Sequence, residues 1–115
     1  MQDFKQLNVW QRAHQFTLDV YKETAQFPAN EKYGITSQLR RASSSIAANI
    51  AEGTGRQTNK GFLSFLYISM GSVKECESFL VLAKDLKYLK NERLFSDLES
   101  IAKMLNRLIK SIQYK

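Results

Sequence analysis

Seven basic side chains are the residues of this sequence best suited to chemistry with a partner. They are Arg40, Arg41, Arg56, Lys60, Lys103, Arg107 and Lys110. The last three follow each other at four- and three-residue steps, which places them on one helix face, opposite a Leu/Ile stripe. Cationic side chains of this kind contact phosphates, which position a nucleic-acid backbone without reading its bases. The pattern predicts binding of nucleic acid, RNA or DNA, with little sequence preference.

The overall charge agrees with this prediction. The 115 residues include 17 Lys and Arg against 11 Asp and Glu, for a formal net charge of +6. Excess positive charge attracts polyanions, because neutralising phosphates releases condensed counterions. The alternative interpretation is that the basic ridge Lys103, Arg107 and Lys110 is an ordinary solvated face and that the charge only keeps the protein soluble.

A second group of polar residues lies next to the predicted core. It consists of Asn49, Glu52, Ser72 and Glu75. Burying such groups is costly unless they are hydrogen-bonded, so we expect them to bond to one another or to an arginine such as Arg41. The favoured role is a structural polar network that sets the register of two helices.

Catalytic and metal-binding constellations do not emerge from the sequence. The one histidine, His14, lacks a candidate nucleophile on its helix, and the one cysteine, Cys76, lies in a helical pattern typical of a buried thiol. One His and one Cys cannot supply the usual ligands of a zinc site. The run Gly53-Thr54-Gly55-Arg56 has no preceding strand and no Lys-Ser/Thr ending, so it indicates a helix cap rather than a phosphate loop. We therefore expect no enzyme, metal or cofactor.

Four helices must position these groups. Apolar spacing and the few Gly and Pro residues predict helices over about 8–26, 36–53 and 60–89, with caps at Asn8, Thr36 and Asn59, and a fourth after residue 92. The fourth carries the stripe Leu94, Leu98, Ile101, Leu105, Leu108, Ile109 and Ile112. Short linkers between helices favour antiparallel neighbours. The sequence predicts one all-α domain over residues 1–115, an up-down-up-down four-helix bundle.

The third predicted helix is apolar around most of its circumference. Its large side chains are Phe62, Leu63, Phe65, Leu66, Tyr67, Ile68 and Met70. A helix of a monomeric bundle buries one stripe, so these residues predict a homo-oligomer interface. The alternative is a scaffold that uses the same surface to hold a protein partner. No apolar run has membrane-spanning length and residues 1–5 lack a signal-peptide pattern, so a cytoplasmic location without membrane contact is expected.

Several motifs make the sequence recognisable. They are Phe4-x-x-Leu7-x-Val9-Trp10, Phe27-Pro28-x-x-Glu31-x-Tyr33-Gly34-Ile35-Thr36, Gln38-Leu39-Arg40-Arg41-Ala42-x-x-Ser45-Ile46-x-x-Asn49-Ile50-Ala51-Glu52-Gly53 and Gly71-Ser72-x-x-Glu75. Together they strongly resemble the proteins encoded in intervening sequences of bacterial 23S rRNA genes. The accessory variability proteins of diversity-generating retroelements are similar to the same family.

This resemblance implies a four-helix bundle that assembles into a ring-shaped homopentamer with a basic, nucleic-acid-binding surface. The retroelement relatives bind DNA and RNA and partner a reverse transcriptase. The rRNA-linked members have no established biochemical role, so the resemblance predicts the fold more directly than the activity.

Overall fold

Four helices make up a computed structural model of the protein, which describes residues 3–114. They are α1 (Asn8–Thr24), α2 (Ile35–Thr54), α3 (Asn59–Asp85) and α4 (Arg93–Gln113). Short 3₁₀ turns at Phe4–Gln6 and Ala29–Glu31 precede α1 and α2. Residues 3–114 contain no strand. The helices alternate in direction and form a rod of 46 × 22 × 20 Å. The predicted antiparallel four-helix bundle is confirmed.

The core is built from one apolar stripe of each helix. In α4 the stripe is buried at Leu94, Leu98, Ile101, Leu105, Ile109 and Ile112, whereas Leu108 is only partly buried. Phe16 and Val20 of α1 belong to the same cluster. Burying one such side chain contributes about 1.5–3 kcal/mol before its conformational entropy is subtracted. None of the helices in residues 3–114 combines the length and the apolarity needed to cross a bilayer.

Small residues let α2 and α3 approach closely. A Cβ at Gly53 would lie 2.8 Å from a ring carbon of Phe62, so only glycine fits there without displacing that ring. Further along the pair, the buried hydroxyl of Ser69 donates to the carbonyl of Ile46 at 2.8 Å. Close packing and interhelical hydrogen bonds together fix the register of α2 against α3.

The helix starts differ from the predicted caps. Asn8 is the first residue of α1, and its predecessor Leu7 makes no side-chain cap bond. Thr36 lies buried inside α2, which begins at Ile35. Thr58 caps α3 in place of Asn59, because its hydroxyl accepts the amide of Gly61 at 3.0 Å. Each predicted cap is of a residue type that often caps helices, but it lies one or two positions after the observed cap.

The end of α3 also differs from the prediction. The helix ends at Asp85 because Lys87 adopts a left-handed backbone conformation, with φ 67°. The amide of Tyr88 donates to the carbonyl of Ala83 at 2.9 Å, and that of Lys87 donates to Lys84 at 3.0 Å. This pair of bonds is a Schellman motif, which usually has glycine at the left-handed position. With lysine there, the sequence pattern ran on to residue 89.

Candidate nucleic-acid interface

The basic ridge lies on the solvent face of α4, as predicted. Lys103, Arg107 and Lys110 are all exposed, and they point away from the buried stripe. Lys103 is 3.4 Å from the carboxylate of Glu99, one turn earlier on the same helix. Arg107 and Lys110 form no ion pair within residues 3–114. Their charges are therefore available to a partner.

Two cations lie where α2 connects to α3. Arg56 in the loop has an ion-pair partner, whereas Lys60 at the start of α3 has none in the described residues. Arg56 pairs with Glu52 at 2.6 Å, and its guanidinium carbon lies 4.5 Å from the centre of the Phe65 ring. Lys60 is exposed in the first turn of α3 and has no ion-pair partner in the described chain. Lys60 is thus the stronger phosphate-contact candidate of the two.

Arg40 and Arg41 have structural partners. The Nε of Arg40 donates to Thr24 Oγ1 at 2.8 Å, and its guanidinium stacks 4.5 Å from the ring centre of Tyr21. Arg41 pairs with Glu75 of α3. These two arginines join α2 to its neighbours, and Arg41 lies 13 residues before the end of α2, about 20 Å away along the axis. The seven predicted residues therefore do not form one site.

Positive charge is concentrated at one end of the bundle, where α1 and α3 begin and α2 and α4 end. Within residues 3–8, 52–64 and 107–114, the cations are Lys5, Arg56, Lys60, Arg107 and Lys110. The same ranges contain two carboxylates, those of Asp3 and Glu52. Asp3 accepts the amide of Lys5 at 3.0 Å, and Glu52 pairs with Arg56. We call these five cations the basic end.

The predicted polar network is divided into separate contacts. Ser72 and Ser45 share a hydrogen bond of 2.8 Å across α2 and α3, and the amide of Asn49 donates to the Ser45 hydroxyl at 2.9 Å. Glu75 pairs with Arg41 and Glu52 pairs with Arg56, and no hydrogen bond within residues 3–114 links either glutamate to this group. Each glutamate thus bonds to an arginine, which was the alternative to bonding within the group. The expectation of one network of four residues was wrong at both glutamates.

The apolar residues of α3 are also divided between core and surface. Leu66 is fully buried within the single bundle, so it cannot contribute an oligomer interface. Phe62, Leu63 and Met70 pack partly against the core, and Phe65 lies under Arg56. Of the predicted interface residues, Tyr67 and Ile68 remain half exposed. Exposed apolar side chains continue further along α3 at Val81 and Leu82, and at Leu86, which caps its C-terminus.

The two residues considered for catalysis have structural surroundings. His14 is exposed on α1 and stacks on Trp10, with ring centres 4.8 Å apart. Cys76 is buried in the core, and this burial raises its pKa to about 12. A thiol with so high a pKa is protonated at neutral pH and is a poor nucleophile.

Two features at the basic end of the bundle could not be predicted from the sequence. Lys5 adds to the basic end, but an isolated lysine before the first helix gives no pattern to detect. The hydroxyl of Tyr67 accepts a hydrogen bond from Gln113 at 2.6 Å and so joins α3 to the end of α4. Residues 46 positions apart cannot be paired from periodicity alone.

Comparisons with known proteins agree with this architecture. A family model described as 23S rRNA-intervening sequence protein matches residues 5–108. A crystal structure of a protein of unknown function from the S23 ribosomal protein family of Bacteroides thetaiotaomicron is similar, with a TM-score of 0.77 and 27% identity. The similarity covers 89% of this chain and 98% of that one. No curated protein sequence matches. Because the family model matches nearly all of it, the chain belongs to the 23S rRNA-intervening sequence protein family.

Proposed function

We propose that this protein is a non-enzymatic nucleic-acid-binding protein that contacts the phosphates of RNA or DNA through its basic end. The observation that carries the proposal is the imbalance of charge there: five cations against two carboxylates, Asp3 and Glu52, that already have partners. A polyanion gains from such a surface by releasing its condensed counterions. The retroelement accessory proteins that the sequence resembles, which bind DNA and RNA, favour the same conclusion.

Three residues carry most of the proposed contact. Lys60, Arg107 and Lys110 are exposed, and each lacks an ion-pair partner in residues 3–114. They sit on two helices that meet at the same end, so one phosphate backbone can reach both. Long flexible cations on a helix surface contact phosphates and give little base discrimination. Binding should therefore depend weakly on sequence and strongly on salt.

We further propose that the chain forms a homo-oligomer through the outer face of α3. Ile68, Val81 and Leu82 leave apolar surface exposed along this helix, and Leu86 extends it at the C-terminal cap. Gly71 lies among them with open space beside it, so a second helix could approach closely. The family resemblance suggests a homopentamer. Repetition of the basic end around a ring would add phosphate contacts along one strand and so increase its affinity.

The alternative function, a scaffold that holds a protein partner on the same apolar face of α3, rests on the same exposed side chains. The two functions respond differently to salt. Phosphate contacts weaken steeply as ionic strength rises, whereas an apolar protein contact does not.

The test replaces Lys60, Arg107 and Lys110 together by glutamine and measures binding to duplex DNA and structured RNA across a salt series. We expect lower affinity for both ligands and a log affinity versus log salt slope that is flatter by about one unit per lost contact. A control triple variant replaces Lys22, Lys32 and Lys90, which are exposed at the opposite half of the bundle, and removes the same charge. Equal effects of both variants, or none of the first, would overturn the assignment of the basic end.

A further inference from the structure

A groove next to the basic end lies between the start of α3 and the end of α4. It has a volume of about 480 Å³, and its lining includes Asn59, Lys60, Leu63, Tyr67, Ile112 and Gln113. In this groove an apolar surface meets Lys60, which has no ion-pair partner in residues 3–114. Neither the phosphate contacts nor the core packing described above accounts for it.

One wall of the groove is an aromatic ring held in place. Tyr67 is 50% exposed, and its hydroxyl accepts a hydrogen bond of 2.6 Å from Gln113 Nε2. This bond joins α3 to α4 beside the groove. The Gln113 amide keeps its carbonyl oxygen as an acceptor. Leu63 and Ile112 supply apolar contact beside the ring.

The polar residues of the groove argue against a purely apolar occupant. Lys60 and two amide side chains, Asn59 and Gln113, belong to the lining. Lysine is depleted from the buried centres of protein interfaces, because its ammonium group is costly to desolvate there. An aromatic ring beside amide groups and a free lysine instead complements a nucleotide, which has a flat base with polar edges and an anionic phosphate.

We propose that this groove receives an unpaired base of single-stranded nucleic acid, with the base against the ring of Tyr67 and the adjoining phosphate at Lys60. Paired bases are stacked inside a duplex and cannot enter such a groove, whereas unpaired bases stack readily on aromatic side chains. The inference rests on the proposed nucleic-acid function and deepens it. It adds a preference for single strands, in RNA or DNA, to the general attraction for phosphates.

The experiment compares the intact parent protein with Tyr67→Ala and Tyr33→Ala, using twelve-nucleotide oligo-U, oligo-dT and a DNA duplex of equal length. Tyr33 is the matched control, because it is an exposed tyrosine at the opposite end of the bundle that lies neither in the groove nor on the face of α3 proposed for assembly. We expect Tyr67→Ala to lower affinity for both single strands by about tenfold, the typical loss for one stacked base. Duplex affinity and all salt slopes should stay unchanged, since no charge is removed. Tyr33→Ala should leave single-strand affinity within about twofold of the parent, within the experimental spread.

A second variant separates stacking from assembly. Tyr67→Trp keeps an aromatic wall and adds a fluorophore to the one native tryptophan, Trp10. Single strands should quench the added emission and the duplex should not, while light scattering reports the mass of every variant. If single strands bind without extra quenching, or if Tyr67→Ala weakens duplex and single strand equally, the groove is not a base site. The proposed function would survive that result, because its own tests are binding by the parent and the loss of affinity when Lys60, Arg107 and Lys110 are replaced.

Discussion

The carboxylate of Glu23 accepts the backbone amide of Lys90 at 2.6 Å, although the two residues are 67 positions apart. The same oxygen accepts the amide of Asn91 at 3.1 Å. Glu23 is 5% exposed, so it is a buried acid at the end of α1 that holds the turn between α3 and α4. Two amides of an irregular turn thereby receive the acceptor that no helix supplies.

Removing this carboxylate should destabilise the fold. Hydrogen bonds to a charged acceptor contribute about 1.5–3 kcal/mol, more than neutral ones, and both amides would lose that acceptor. We expect Glu23→Ala to lower the free energy of unfolding by about 2–3 kcal/mol in urea denaturation, and Glu23→Gln to lower it less. Glu77→Ala is the control, because that side chain is exposed and makes only a 3.5 Å ion pair with Lys74. Equal midpoints for the Glu23 and Glu77 variants would show that the turn does not need the carboxylate.

Lys87 offers a stabilising substitution. A non-glycine residue in the left-handed conformation costs roughly 1–2 kcal/mol, and Lys87 has φ 67°. Lys87→Gly should therefore raise the free energy of unfolding by about 1 kcal/mol, although glycine also loosens the unfolded chain. Lys90→Gly, in the same loop, should give no such gain. A loss of stability at both positions would mean that the Lys87 side chain contributes contacts that outweigh its strain.

Ionisation of Tyr88 should lower the stability of the fold as pH rises into the alkaline range. Its hydroxyl donates to Glu31 at 3.0 Å, and this hydrogen bond raises the pKa of Tyr88. A group whose pKa is higher in the folded state stabilises the fold fully below its unfolded pKa, near 10, and loses that contribution as pH rises through the folded pKa. Urea midpoints between pH 8 and 11.5 should fall more steeply for the parent than for Tyr88→Phe. Parallel curves would show that the hydrogen bond to Glu31 does not form in solution.

Glu75 should matter less than its place in the sequence suggests. Its ion pair with Arg41 joins α2 to α3, but the two side chains are 38% and 53% exposed. Exposed pairs contribute about 0.2–1 kcal/mol, since solvent screens them. We expect Glu75→Ala to destabilise by less than about 1 kcal/mol, and a double-mutant cycle with Arg41→Ala to give a coupling in that range. A much larger coupling would indicate that another molecule covers this surface.

The four helices could be predicted from the sequence because the spacing of apolar residues within each helix is a local pattern. The apolar stripe of α4, from Leu94 to Ile112, repeats at helical steps. Every member of this stripe lies in the buried core except Leu108, which is partly buried. The end of α3 was predicted too late because its stop signal is a backbone conformation at Lys87 and not a residue type. The cap at Thr58 was missed because a neighbouring residue, Asn59, fits the same pattern.

The candidate site was less predictable, because residues distant in sequence determine which of its cations are paired and which are free. Exposure of Arg107 and Lys110 follows from their helical phase, which periodicity provides. The engagement of Arg40 by Tyr21 and of Arg41 by Glu75 depends on which helices pack together and on side-chain rotamers. The groove at Tyr67 requires the end of α4 to meet the start of α3 in a particular register. None of these relationships leaves a periodic signal.

The single cysteine has a practical consequence for labelling. Cys76 is buried with a pKa of about 12, so maleimide and spin-label reagents, which react with the nucleophilic thiolate, should leave it unmodified while the protein is folded. Ser96 is exposed on α4, away from the face of α3 proposed for assembly, and within residues 3–114 its hydroxyl bonds only to the carbonyl of Arg93 on its own helix. Ser96→Cys would therefore add the one reactive thiol, with the native cysteine left in place. Dipolar spectroscopy on that variant would test the proposed homo-oligomer, because one label per subunit gives dipolar distances only where copies associate.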